Sequence, residues 1–508
     1  MLPSLHPAKR PRIAGDSPEA ETATAREIVS KSRTEMARLK ARIQDLEKII
    51  LDNERRIFSI NRLPPEILLT IFQYSSPPFT EPCPCYVERQ GPLLVSQVCR
   101  RWRNVALSSQ SLWSFPTIYA ENNQIPSQMN RHLARAGTAD LHPALYASEK
   151  NVKSFAKLLA PLAATSDRWV SALIAFDWVY FEDEIGAVHD HVGRLEELQI
   201  EGFWGGDDEE DHPFAEEGKL TAFSIAPRLR KLRVKGVCEP TVSLGLPWHQ
   251  LTDYRGLGTA YDHIEVLKCC QNLVRLHLMF SEPASIVDDA PVLVELPHLT
   301  DLHLGESALL RVMSLPKLHT LAVQRIPEGT EAVDALLPLL ELIQREPPPN
   351  LSSLSLVGST LVTPTLISIL ELLPVLDTLR LPLRRCNTTA LNEIFTRLTV
   401  KPLHPECHCQ CLSHNLQTLE LDGRSATFDQ ANLVEMVRSR SAPEQMMNCG
   451  CMPIRRLGLR TGKIRPIQPS IAEELGTLAV DSKFSLNIRT SFIVDSDGAA
   501  DTARYWAT

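Results

Sequence analysis

The spacing of apolar residues changes character twice along this chain. Between residues 26 and 58, Val29, Met36, Leu39, Ile43, Leu46, Ile50 and Ile57 recur at alternating threes and fours, with Ser32 and Asn53 in the two remaining seam positions. Lys, Arg, Glu and Asp fill the positions around them. Such a seam predicts one long helix, either paired with a second helix in a coiled coil or laid on its own neighbouring domain. Asn53 on the seam is a residue type that sets register or oligomer state. Ahead of it, residues 1–25 are rich in Pro, Ala, Ser and Thr, carry few large apolar groups, and are expected to be disordered.

The pattern then shortens. In "NRLPPEILLTIFQYSS" (61–76), Pro64 and Pro65 suit a helix start, Glu66 suits its positive end, and Leu63, Ile67, Leu68, Ile71 and Phe72 form one apolar stripe. In "LLVSQVCRRWRNVALSS" (93–109), Val98, Trp102, Val105 and Ala106 fall on one helical face and the arginines mostly on others. Ser108 and Ser109 end that helix, and Leu112 and Trp113 return to the core. Interleaved Arg and Trp can also mark a nucleic-acid surface. Placing Trp102 on the face of Val98 argues for packing instead, and nucleic acid is not an expected partner.

Beyond residue 119 the period changes again, to L-x-x-L-x-L. It occurs as "LEELQI" (195–200), "LRKLRV" (229–234), "LVRLHL" (273–278), "LTDLHL" (299–304), "LHTLAV" (318–323), "LSSLSL" (351–356), "LDTLRL" (376–381) and "LQTLEL" (416–421). "IRRLGL" (454–459) is weaker and "LTDYRG" (251–256) degenerate. Each unit puts three apolar side chains inward on a turn and short strand, and neighbours must stack to bury them. "EAVDALLPLLELIQR" and "TPTLISILELL" predict helices on the outer side. Residues between the leucines then share the concave face: Glu197, Gln199, Lys231, Arg233, Arg275, His277, Asp301, His303, Thr378, Arg380, Thr418 and Glu420. Mixed charge on an extended face suits protein recognition.

Composition narrows the function. The 508 residues exceed one ordinary core, and 44% hydrophobic with 22% charged residues is ordinary for a folded soluble protein. A net charge of −8 argues against general nucleic-acid binding. No run of about 18 apolar residues predicts a membrane span. No apolar core near the N-terminus suggests a secretion signal, so the twelve cysteines are expected to be reduced thiols. The expected location is the cytoplasm, the nucleus or both; "AKRPR" (8–12) is either a short import signal or a solvated tail. No G-x-x-x-x-G-K-[ST], H-E-x-x-H or G-x-S-x-G motif occurs, and the chain is not read as an enzyme. In "HPECHCQCLSH" (404–414), Cys407, Cys409, Cys411 and His414 are zinc candidates, with Cys449 and Cys451 able to complete a tetrahedral set. A loop of reduced thiols is the simpler expectation, so no metal and no cofactor is assigned. The acidic run at 205–218 is read as a solvated loop or a surface for a basic partner.

"LPPEILLTIF", "VCRRWRNVAL" and "SLW", in that order over residues 60–116, resemble the F-box. "SSPPFTEPCPCYVERQGP" departs from the compact pattern as a longer insertion. The layout is similar to a large group of F-box proteins of mushroom-forming fungi, and the hexamers of residues 119–508 resemble an irregular leucine-rich-repeat solenoid. The expected fold is thus α followed by an α/β repeat. The resemblance implies docking to a Skp-type adaptor and through it to a cullin and a ubiquitin ligase. Leu63, Pro64, Ile67, Ile71 and Phe72 would lie at or just beneath the adaptor surface. Val98, Cys99, Trp102, Leu112 and Trp113 would supply packed support and part of the contact. Target binding would fall to the repeats, with Arg275, His277, Asp301, His303, Arg380 and Glu420 as the chosen contacts. The expected role is that of a substrate-recruiting ligase subunit; a non-degradative scaffold and an enzyme with an unrecognised site are the alternatives. Self-association through residues 26–58 is a further expectation.

Overall fold

The computed structural model describes residues 18–57, 60, 63–75, 91–119, 126–147, 152–175, 185–202, 221–235, 244–280, 293–324, 336–346, 350–356, 363–382, 388–401, 411–423, 428–441, 450–462 and 466–491. Two units divide the chain, Met1–Tyr74 and Ser75–Thr508. The first is led by helix α1 (Pro18–Ile57). It starts at Pro18, which corrects the expected boundary at Arg26. Pro18 sits where a missing N–H costs little, and Ala20, Ala23 and Ala25 have the best helix propensity. The seam residues Val29, Met36, Leu39, Ile43, Leu46 and Ile50 are all exposed. Asn53 donates from Nδ2 to the Ile49 carbonyl one turn back, at 2.8 Å.

Helix α2 (Pro65–Ser75) begins at the second of the two prolines. In the second unit, the segment expected as one helix is two: α3 (Gly91–Val98) and α4 (Arg100–Ser108). Cys99 breaks it. Its backbone is extended (φ −156°, ψ 170°), and its Sγ accepts from the Trp102 N–H at 3.5 Å, capping α4. A 3-10 turn, Gln110–Trp113, leads into β1 (Thr117–Tyr119).

From β1 onward the second unit is a parallel sheet with helices. Among the described residues, fourteen strands lie side by side in chain order. After β1 they are β2 (Ala144–Tyr146), β3 (Ser171–Ala175), β4 (Glu197–Glu201), β5 (Lys231–Lys235), β6 (Asp253–Gly258) and β7 (Arg275–Phe280). Then come β9 (Asp301–Leu304), β11 (Thr320–Val323), β12 (Ser353–Leu356), β13 (Thr378–Pro382), β14 (Thr418–Gly423), β15 (Arg456–Gly462) and β16 (Ser485–Ser491). The short strands β8 (Val294–Glu295) and β10 (Met313–Ser314) pair separately with each other.

Every quoted hexamer lands on a strand, and its register explains the repeat. The fourth positions stack as one ladder: Leu198, Leu232, Tyr254, Leu276, Leu302, Leu321, Leu354, Leu379, Leu419 and Leu457. The leading residues, from Leu195 to Ile454, are buried just ahead of their strands. Most reach that position through a tight turn, as when the Leu299 N–H donates to the Leu296 carbonyl and Leu318 N–H to Leu315. No strand could bury three such leucines alone, so stacking is the only way the pattern folds. Helices α5 (Pro126–Ala136), α6 (Val152–Ala163) and α7 (Ala260–Cys269) fall in the earlier connections. Later helices pack in chain order: α8 (Leu337–Arg345) on α9 (Thr363–Leu372), α9 on α10 (Thr388–Leu398), α10 on α11 (Gln430–Ser439), and α11 on α12 (Pro469–Ser482). Helix α8 falls in the later part of the first segment expected to be helical, whose residues 331–335 lie outside the described residues, and α9 covers nearly all of the second. The sheet begins at Thr117, two residues ahead of the expected boundary at 119.

Candidate functional site

In the first unit, α2 carries two apolar stripes rather than one. Leu68 and Phe72, one turn apart, are buried, whereas Ile67 and Ile71, equally spaced, are 47% and 39% exposed. Pro64 is exposed and Leu63 partly so. A helix of eleven residues thus offers two β-branched side chains to whatever meets that face.

In the second unit Trp113 is deeply buried, at 1% exposure. Its Nε1–H donates to the Ala106 carbonyl at 2.8 Å, closing the 3-10 turn onto α4. The Arg135 guanidinium, on α5, stands 4.4 Å over the indole ring, and His132 meets it edge-on at 5.2 Å. His132 Nε2 bonds the Trp113 carbonyl at 2.9 Å, and desolvation holds its pKa down at about 4, so its ring stays neutral. Trp102 is half-buried, while Val98 is 61% exposed. The break at Cys99 places Val98 on a different helix from Trp102, which corrects the shared face expected of them. Immediately after Trp113, His142 N–H donates to Ser114 O and Ala144 N–H to Pro116 O, so the helical region runs directly into the sheet.

On that sheet the residues between the leucines form two ladders. One runs Glu197, Lys231, Asp253, Arg275, Asp301, alternating in sign; the other runs Gln199, Arg233, Arg255, His277, His303. Ion pairs cross between strands: Arg275 Nε to Asp253 Oδ2 at 2.9 Å, and Arg233 to Glu197 at 3.5 Å. His277 and His303 lie face to face at a tilt, centroids 5.4 Å apart. Burial first, then His303 and the nearby Arg255 and Arg233, push the His277 pKa down to about 3; burial likewise lowers that of His303. Both imidazoles are therefore neutral polar groups at physiological pH. Further along, Arg380 pairs with Glu420 at 3.1 Å, and Arg456 approaches the same carboxylate at 3.4 Å.

A family model for an F-box-like domain matches residues 60–119. This region is an F-box-like domain. No curated protein matches the chain. The F-box-like domain takes in α2, α3, α4, the Trp113 turn and, as its last element, the first strand of the sheet.

Of the sequence-chosen residues in the F-box-like domain, Phe72, Leu112 and Trp113 are buried. Pro64, Ile67, Ile71, Val98 and Cys99 are exposed, and Leu63 and Trp102 intermediate. Of the six sheet residues, Arg275, His277, Asp301 and His303 are brought together on neighbouring strands, and Arg380 with Glu420 forms a second group, separated from the first by β11 and β12. Asp253 and Arg255 lie in the degenerate "LTDYRG", and their position within the hexamer is the signal that finds them. Of the zinc candidates, Cys411 and His414 come together with Cys451, while Cys407, Cys409 and Cys449 lie outside the described residues. So do residues 8–12, residues 76–90 of the insertion and the acidic run at 205–218.

Proposed function

We propose that this chain is a substrate-recruiting subunit of a Skp–cullin–F-box ubiquitin ligase. The observation that carries the reading is the F-box-like domain at residues 60–119, with Ile67 and Ile71 presented on the outside of α2. F-box domains generally bind Skp-type adaptors, and two exposed β-branched residues are the kind of apolar remnant that a partner covers. The stacked hexamers support reading the sheet as an irregular leucine-rich-repeat array, whose ladder of mixed charge holds a protein target. The chain then makes no bond itself; it contributes by holding target and ubiquitin-loaded partner close together. The reading places the complex in the cytoplasm, the nucleus or both. No described helix is long and apolar enough to cross a membrane.

A second copy of the chain fits α1. Its exposed seam has β-branched or flexible residues at Val29, Met36, Ile43 and Ile50, alternating with Leu39 and Leu46. That arrangement favours two parallel strands.

Purification of the intact protein from cells tests the main reading. Adaptor and cullin should copurify, and Ile67→Asp with Ile71→Asp should remove both. A wild-type protein that retains no such adaptor sinks it. Target recruitment is read separately, from proteins whose abundance rises when residues 60–116 are deleted.

A further inference from the structure

The segments leading into β14 and β15 meet at a cluster that neither the F-box-like domain nor the charged face uses. Cys411 and His414 precede β14 and Cys451 precedes β15, 40 residues further along than Cys411. Both sulfurs are buried, in a small apolar wall with Val400, and stand 3.1 Å apart. His414 is only partly buried and is the most exposed member of the group. One ligand-type atom from each of the three residues lies within 4.8 Å of the others.

This grouping is held by its surroundings. Arg440, at the end of α11, is fully buried. Its guanidinium donates to the carbonyls of Leu412 at 2.6 Å, Ser413 at 3.2 Å and Leu398 at 2.7 Å. Two of these three lie between Cys411 and His414, so the clamp fixes the loop that carries both. Ser413 adopts the left-handed region at φ +49°, a conformation that costs a non-glycine residue free energy and persists where neighbours over-determine it. On the other segment, the Met452 N–H donates to the His414 carbonyl at 2.7 Å, and Ile454 N–H to the Arg440 carbonyl at 3.2 Å. Cys451 is thereby set beside His414.

We propose that Cys411, His414 and Cys451 form a zinc site that ties the two segments together. Two thiolates and an imidazole are the donors zinc takes in structural sites, and they exclude the oxygen-seeking cations. Tetrahedral zinc with sulfur at about 2.3 Å spaces two sulfurs by roughly 3.8 Å. The observed separations, from 3.1 Å to at most 4.8 Å, bracket that spacing, so small side-chain adjustments suffice. Buried cysteines alone would be ordinary apolar packing. What distinguishes this pair is an imidazole brought to both sulfurs by a strained, clamped loop. The partly open side at His414 gives the metal its path in and leaves the fourth position to water. Bridging segments this far apart in sequence, the metal would stabilise the last strands of the sheet.

The test uses the full-length chain, purified with reductant and analysed for metal by inductively coupled plasma mass spectrometry. About one zinc per chain is expected. Replacing it with cobalt(II) should give thiolate-to-cobalt charge transfer from two sulfurs and the intense visible bands of a tetrahedral centre. Cys411→Ser, Cys451→Ser and His414→Asn should each weaken zinc by at least about tenfold, while Cys269→Ser, at an exposed cysteine on α7, should not. Because the cobalt spectrum is read on the unaltered protein, a variant that fails to fold does not spare the proposal. Absence of metal after reconstitution of the reduced chain overturns it. So does a Cys411–Cys451 disulfide in protein kept under reducing conditions, or a cobalt spectrum without thiolate bands.

Discussion

The Trp113 indole N–H donates to the Ala106 carbonyl at 2.8 Å while the ring lies under the Arg135 guanidinium. One side chain thus joins α4, the 3-10 turn and α5, and its carbonyl is taken by His132. Trp113→Ala should cost about 3–5 kcal/mol, the usual penalty for emptying a large aromatic site. Trp113→Phe keeps most of the volume but strands the Ala106 carbonyl, and should cost about 1–3 kcal/mol. Urea unfolding followed by circular dichroism separates the two. Equal losses would mean that volume alone matters there.

The two stripes of α2 predict a separation of stability from docking. Ile67→Asp and Ile71→Asp change exposed positions, and helix propensity limits their cost to less than about 1 kcal/mol each. Leu68→Ala and Phe72→Ala empty buried positions and should cost about 2–5 kcal/mol. Under the proposed function, adaptor affinity should instead fall at least about tenfold in the first pair, a loss of about 1.4 kcal/mol of binding. Calorimetric titration of adaptor into each variant, alongside its melting curve, checks both halves.

Much of this layout was legible because a buried leucine every two or three residues has only one stable solution, stacking. The elements that escaped are those where other residues do the same work. In β3 the unit reads Trp169-x-x-Ala172-x-Ile174, all three buried, with a large residue and a small one in place of two leucines. In β16 Lys483 stands at the leading position in a left-handed conformation, and Phe484 one residue later supplies the burial. The break at Cys99 was hidden because cysteine is not among the favoured N-caps, so continuous apolar spacing read as one helix. The approach of Cys451 to Cys411 depends on the clamp at Arg440, a long-range contact that no local pattern carries.

Three desolvated histidines make the fold acid-sensitive in a defined window. Desolvation lowers His132 and His263 to about 4 and His277 to about 3, each from an ordinary 6.5. In the unfolded chain these rings take up protons as pH falls through 6.5, while in the folded chain they stay neutral. The unfolded state therefore binds more protons over this range, and stability falls with falling pH. Each histidine contributes a slope of up to about 1.4 kcal/mol per pH unit between about pH 6 and the folded value. His132→Gln should flatten the profile of unfolding free energy between about pH 6 and 4 by one histidine's share. A variant profile parallel to the wild type would show that His132 protonates freely in the fold.

The exposed seam of α1 fixes which flanking charges two paired copies would bring together. In a parallel pair, Glu35 on one copy stands beside Lys40 on the other, and Arg42 beside Glu47, because each pair is five residues apart across the flanks of the seam. Within one copy Glu35 pairs with Arg38, at 3.7 Å and well exposed, a contact worth little by itself. Glu35→Lys should thus weaken dimerisation chiefly by setting like charge against Lys40 of the other copy, and adding Lys40→Glu should restore it. Asn53 works in the opposite sense. A polar seam residue holds register at some cost in stability, so Asn53→Leu should tighten association while admitting higher oligomers. Sedimentation equilibrium of the full chain distinguishes these outcomes. If Glu35→Lys and the double variant associate equally well, the helices do not pair in parallel; if the wild type stays monomeric at tens of micromolar, the seam serves another partner.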